Sequence, residues 1–179
     1  MAVKPIVTIP DERLYKKTIK VKEFDKEIKE LVQNLKDTVL SAKEPEGAGL
    51  AAPQIGSDKR VCIVRNFFLD PDNNNLEASE DFILINPKII SKSKETELDF
   101  EGCLSVPDIY GKVQRYRKIK VKALNETGEL IRLSASGFFS RTIQHEIDHL
   151  NGEIFTDKVV GNIYTLKELE ELEKEKKIL

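Results

Sequence analysis

Both histidines of this 179-residue chain fall in one short segment, Gln144-His145-Glu146-Ile147-Asp148-His149-Leu150-Asn151-Gly152. The pattern is H-E-x-x-H. In a helix, residues four apart share a face and stand about 6 Å apart along the axis. Two imidazoles so placed can hold one divalent metal ion, and Glu146 beside them can move a proton. That is the chemistry of a metal-dependent hydrolase. A five-residue match also arises by chance in ordinary structural helices. Here Phe139, Ile143, Ile147 and Leu150 give the segment one apolar side, which predicts a helix from about 137 to 150. The chain also spends both of its histidines on that helix, so the metal reading outweighs the bland one.

A catalytic site of this kind uses three protein ligands and keeps a fourth position open. The extended pattern H-E-x-x-H-x-x-G-x-x-H fits at Gly152 but meets Phe155 where its third histidine belongs, and Phe155 cannot ligate. A downstream glutamate is the second option, with Glu168 and Glu170 as candidates. Their segment, Leu166 to Lys174, reads as a solvated charged face beside a leucine stripe. The third option is Cys103, in Glu101-Gly102-Cys103-Leu104-Ser105-Val106-Pro107, a poor core position and a good ligand position. Cys62, in the apolar run Arg60 to Arg65, reads as a buried structural thiol. A disulfide between the two cysteines is possible in principle, but nothing in the chain suggests secretion.

The elements that must position these groups are short. Phe24, Ile28, Leu31, Val32, Leu35, Val39 and Leu40 recur at helical spacing, which predicts an amphipathic helix over 24–43, ended by Pro45. Gly47 to Gly56 is a small-residue loop or edge strand. Strands are expected at 60–66, 82–90 and 95–100, with a polar turn over Asp70 to Asn75. A hairpin of 117–124 and 129–134 closes around Asn125-Glu126-Thr127-Gly128. Asn151-Gly152 stops the histidine helix, and a last helix covers 165–177 behind a Thr165–Glu168 capping box. The expected fold is α+β: mostly antiparallel sheets packed around a central metal-binding helix, with an N-terminal and a C-terminal helix.

Length suits one catalytic domain over 1–179. A formal net charge of −2 and a pI near 5.9 offer no strong basic field for DNA or an anionic membrane. The N-terminus lacks the apolar core of a signal peptide, and no apolar run reaches the ~18 residues of a membrane span. The expected location is cytoplasmic.

Three segments together resemble the signature motifs of the peptide deformylases: Gly47-Ala48-Gly49-Leu50-Ala51-Ala52-Pro53-Gln54, Glu101-Gly102-Cys103-Leu104-Ser105, and Gln144-His145-Glu146-Ile147-Asp148-His149. Their order and spacing fit the family, and the resemblance runs from the N-terminal helix through Asp157. It implies removal of the formyl group from the N-terminal formylmethionine of new polypeptides, with release of formate. It implies Cys103, His145 and His149 as metal ligands, Glu146 as general acid and base, and Gln54 with the backbone N–H of Leu104 as donors to the developing oxyanion. Gly47, Ala48, Gly49 and Leu50 would meet an extended substrate in the manner of strand addition. Glu101 and Arg115 match a pair that supports the ligands, and Gln144 a further supporting position. Phe138 matches a wall of the methionine pocket, with core packing as the even alternative. The implied cofactor is one divalent metal ion, Fe(II) physiologically, with zinc, nickel or cobalt able to occupy the site. Implied partners are N-formylmethionyl peptides. Transient ribosome contact through the tail is disfavoured, because four lysines face five glutamates in residues 161–179.

Overall fold

The computed structural model describes residues 2–43, 46–69 and 76–178. Its first helix, α1 (Lys26–Ser41), begins where the Asp25 carboxylate accepts the Ile28 N–H at 3.1 Å. The helix ends at Ser41; Pro45, expected to end it, lies outside the described residues, as does the expected polar turn at Asp70 to Asn75.

Among the described residues eight strands follow in antiparallel pairs. One sheet has the order β1-β2-β3-β6-β7, formed by β1 (Gly49–Ala51), β2 (Val61–Leu69), β3 (Leu76–Lys92), β6 (Lys118–Leu124) and β7 (Leu130–Ser136). The other has the order β4-β5-β8, formed by β4 (Thr96–Cys103), β5 (Val106–Tyr116) and β8 (Val159–Thr165). The expected hairpin is β6–β7, in register from Lys118↔Ser136 to Leu124↔Leu130. Strands β5 and β8 were not anticipated from the sequence.

Helix α2 (Gly137–Asn151) sits between the sheets, as the expected architecture requires. Strand alternation on β2 divides the core: Val61 and Ile63 face α1, while Cys62 and Val64 face α2. Ile143, Ile147 and Leu150 of α2 pack with Cys62, Val64, Leu84, Ile119 and Val121. Much of the remaining surface of α2 is also buried but polar, carrying Arg141, Gln144, Glu146, Asp148 and His149. A helix buried on both sides positions its side chains rigidly, which a ligand set needs. Gly152 closes it in the left-handed region, φ 78°, and a side chain there would also strike the Tyr15 carbonyl. Helix α3 (Leu166–Ile178) starts with the expected capping box: the Glu168 carboxylate accepts the Thr165 N–H at 2.6 Å, and the Glu168 N–H reaches Thr165 Oγ1 at 3.3 Å. No described helix is long and apolar enough to cross a membrane.

Candidate metal centre

Helix α2 and the end of β4 bring three donor atoms together. Cys103 Sγ lies 3.2 Å from His149 Nε2, which lies 3.2 Å from His145 Nε2. The ligand atoms of Cys103, His145 and His149 all fall within 4.8 Å of one another. The register shift between Gly102 and Cys103, where β4 turns into β5 at Leu104-Ser105, points this sulfur inward. Phe155 is buried beside the His145 ring at 6.0 Å, so it packs against the ligand set. Glu168 is taken up by its cap and Glu170 is exposed, which removes both as ligands.

The Glu101 carboxylate meets His145 Nδ1 at 3.0 Å, an assignment that turns the Nε2 lone pair toward the other donors. Burial opposes a charge on either ring. At His145 the partners Cys103 and Glu101 outweigh it and hold the imidazole well above its ordinary value. At His149 burial and the neighbouring His145 push it well below. A soft thiolate and two imidazoles converging on one point fit a divalent transition-metal ion.

Glu101 is the hub of a buried ionic network. Arg115 grips it with two parallel bonds, Nε to Oε1 at 2.8 Å and Nη2 to Oε2 at 2.9 Å. Arg115 Nη1 reaches Asp148 at 2.5 Å, and Lys158 closes on the other Asp148 oxygen at 2.6 Å. Arg141 donates to Glu101 at 2.8 Å, to the Val113 carbonyl at 2.8 Å and to the Glu97 carbonyl at 2.9 Å. Burial alone would raise the Glu101 carboxyl, but Arg115 and His145 hold it below the usual carboxylate range. Arg141 and Asp148 were not singled out in the sequence; the Arg141 partners and Arg115, the partner of Asp148, lie on strands far away in the chain. Gln144 ties α2 to the end of β5, bonding the Tyr116 carbonyl at 2.9 Å and accepting the Tyr116 N–H at 3.1 Å.

Glu146 projects from α2 against β1. Its Oε2 is buried with no protein partner, and a Cβ added to Gly49 would lie 2.5 Å from its Oε1. Burial, helped by Glu101 and Asp148 and opposed by His145, pushes this carboxyl up to about 7. Gln54 is fixed by its own carbonyl, which accepts the Ala51 N–H at 2.8 Å. Its amide nitrogen therefore faces Cys103 Sγ at 3.5 Å and Ser105 Oγ at 3.2 Å. A cleft of about 420 Å³ opens over the centre, lined by Gly47, Ala48, Gly49, Gln54, Leu104 and Phe138 among others. Phe138 is 57% exposed, so it is a wall of the cleft rather than part of the core.

Three side chains that could hold a metal ion, a buried carboxylate and a side-chain amide around one cleft fit a site of the metal-dependent hydrolase class. Comparison with known proteins narrows the class. The family model described as polypeptide deformylase matches residues 3–162. The chain is 43% identical over 173 residues to peptide deformylase 1 of Bacillus subtilis, covering 97% of this chain and 99% of that protein. It is 47% identical over 158 residues to the peptide deformylase of Desulfitobacterium hafniense, covering 88% and 95%. Among solved structures, the Thermotoga maritima peptide deformylase superposes with a TM-score of 0.76 at 33% identity, over 90% of this chain and all of that one. The Met-Ala-Ser-bound class I type b enzyme of Acinetobacter baumannii gives 0.78 at 34% identity, over 88% and 99%. The chain belongs to the polypeptide deformylase family, hydrolases that remove the N-formyl group from nascent peptides.

Proposed function

We propose that this chain, as a single catalytic domain, hydrolyses the formamide bond of N-formylmethionyl peptides, using one divalent ion held by Cys103, His145 and His149. The convergence of those three donor atoms within 4.8 Å, beside a buried glutamate, carries the reading. A divalent ion held there supplies Lewis acidity, which lowers the pKa of water and polarises the formyl carbonyl. Glu146 takes a proton from the attacking water and delivers it to the departing amine nitrogen. The C–N bond breaks, leaving formate and a free amino terminus. Gln54 Nε2 and the Leu104 N–H donate to the carbonyl oxygen as it becomes negative; one such donor contributes about 10²–10³ in rate. The peptide lies along Gly47 to Leu50, because β1 is the edge of its sheet and borders the cleft. A Met-Ala-Ser peptide in the Acinetobacter relative supports a peptide ligand here. Phe138 lines the pocket for the methionine side chain. Glu101 and Arg115 orient His145.

The test is an assay on a formyl-methionyl tripeptide, with formate release and no internal cleavage expected. Cys103→Ala retaining full metal content would sink the ligand set. We assign Fe(II) as the physiological ion and the cytoplasm as the compartment, where new polypeptides are made. Protein prepared anaerobically with iron is then expected to lose activity in air, and exchange to nickel to prevent the loss. An iron-loaded enzyme indifferent to oxygen counts against that assignment.

A further inference from the structure

One buried cation lies behind the cleft wall and has no role in the chemistry above. Arg65, on β2, is 5% exposed. Its backbone N–H donates to the Ala48 carbonyl at 2.8 Å. Its Nη1 donates to the Gly47 carbonyl at 3.1 Å and to Glu46 Oε1 at 2.9 Å. The other side of the guanidinium is anchored on β3, by Nε to Asp81 at 3.1 Å and Nη2 to Ser79 Oγ at 2.9 Å. Its carbon sits 5.0 Å from the centre of the Phe67 ring, which fixes the plane.

The position of these bonds gives them a purpose. The ladder between β1 and β2 begins only at Gly49, paired with Val64. Just upstream, Glu46, Gly47 and Ala48 form the cleft wall, and the Gly47 and Ala48 carbonyls both end on Arg65. An edge can accept another strand only if its own backbone is held extended and in register. Arg65 extends that hold beyond the three-residue strand. Its Nη1 does so at Gly47 and Glu46 while Nε and Nη2 anchor the group on β3, a fork that the three donors of a lysine cannot reproduce.

We propose that the Arg65 side chain is the positioning group for the peptide portion of the substrate: it holds Glu46 and Gly47 in line with β1, so that residues beyond the formylmethionine can pair along that edge. This rests on the reading that the peptide lies along Gly47 to Leu50. A substrate without those further residues does not extend to Glu46 and Gly47, so substrate length separates positioning from general damage.

The experiment compares wild type, R65K and R65M on N-formylmethionine amide and on an N-formylmethionyl tripeptide, with metal content and Tm measured alongside. The KM for the tripeptide is expected to rise on the order of tenfold. The KM for the single-residue substrate should change by less than about twofold, with kcat and metal content unchanged. Should R65M not fold, R65K carries the test. Equal KM changes on both substrates, or none on either, would overturn the proposal. No formate release by wild type from either substrate would overturn the functional reading, and this inference with it.

Discussion

Glu146→Gln is expected to retain metal and to lose about 10²–10⁴ in kcat/KM on a formyl-methionyl peptide. The substitution keeps the shape of the side chain and its place against β1, and it removes the capacity to accept a proton. The polar groups nearest the centre are committed elsewhere. Gln54 is committed through its carbonyl to Ala51, Glu101 through both oxygens to arginines, and both imidazoles face the ligand cluster. Metal analysis separates this outcome from a disrupted centre. A second variant reaches the same carboxylate from the opposite wall. In Gly49→Ala the new methyl would lie 2.5 Å from Glu146 Oε1 and 2.9 Å from its Cγ, so the glutamate must shift. Gly49→Ala should therefore lower kcat with metal content intact. A rate near wild type in Glu146→Gln would remove the proton-transfer role.

How far the sequence exposed this arrangement depends on how each element buries its surface. Helix α1 was legible because one stripe packs on a sheet and the other meets water, so its apolar residues keep the 3.6-residue period. The β6–β7 hairpin was legible because β6 alternates lysines outward with Ile119, Val121 and Ala123 inward. Strand β5 hides that signal: it contains Pro107 and Asp108 at φ 59°, and where its burial alternates, from Gly111 on, the inward residues are Gly111, Val113 and Arg115. Strand β8 is largely exposed and interrupted by Gly161 at φ 91°, so it has almost no apolar pattern to read. The site divides in the same way. The proposed metal ligands are rare residue types: His145 and His149 stand out by their spacing, whereas Cys103 was one of three options for the third ligand until the family resemblance singled it out. Arginines and carboxylates are common, and what distinguishes Arg141 or Arg65 from a surface charge is burial among partners on remote strands. That placement exists only once the chain is folded.

Glu101→Gln is expected to weaken metal binding about 10–100-fold and to destabilise the fold by roughly 3–5 kcal/mol. The two effects have separate origins at one side chain. Toward the centre, the carboxylate fixes the His145 ring at 3.0 Å, and a neutral amide holds that tautomer less firmly. Toward the interior, it neutralises two buried guanidiniums, Arg115 and Arg141, whose side chains are 6% and 5% exposed. Arg115 keeps Asp148, whereas Arg141 keeps only backbone carbonyls, so its charge is left buried without a counterion. For a chain of this size even the lower figure lowers Tm by roughly 6–12 °C. Arg141→Met provides the control, because it removes the arginine together with its demand for a counterion and leaves the Glu101–His145 contact in place. Arg141→Met should therefore lower Tm while metal affinity changes far less than in Glu101→Gln. Equal losses of metal affinity in the two variants would mean that Glu101 acts on the centre only by holding β4 to α2.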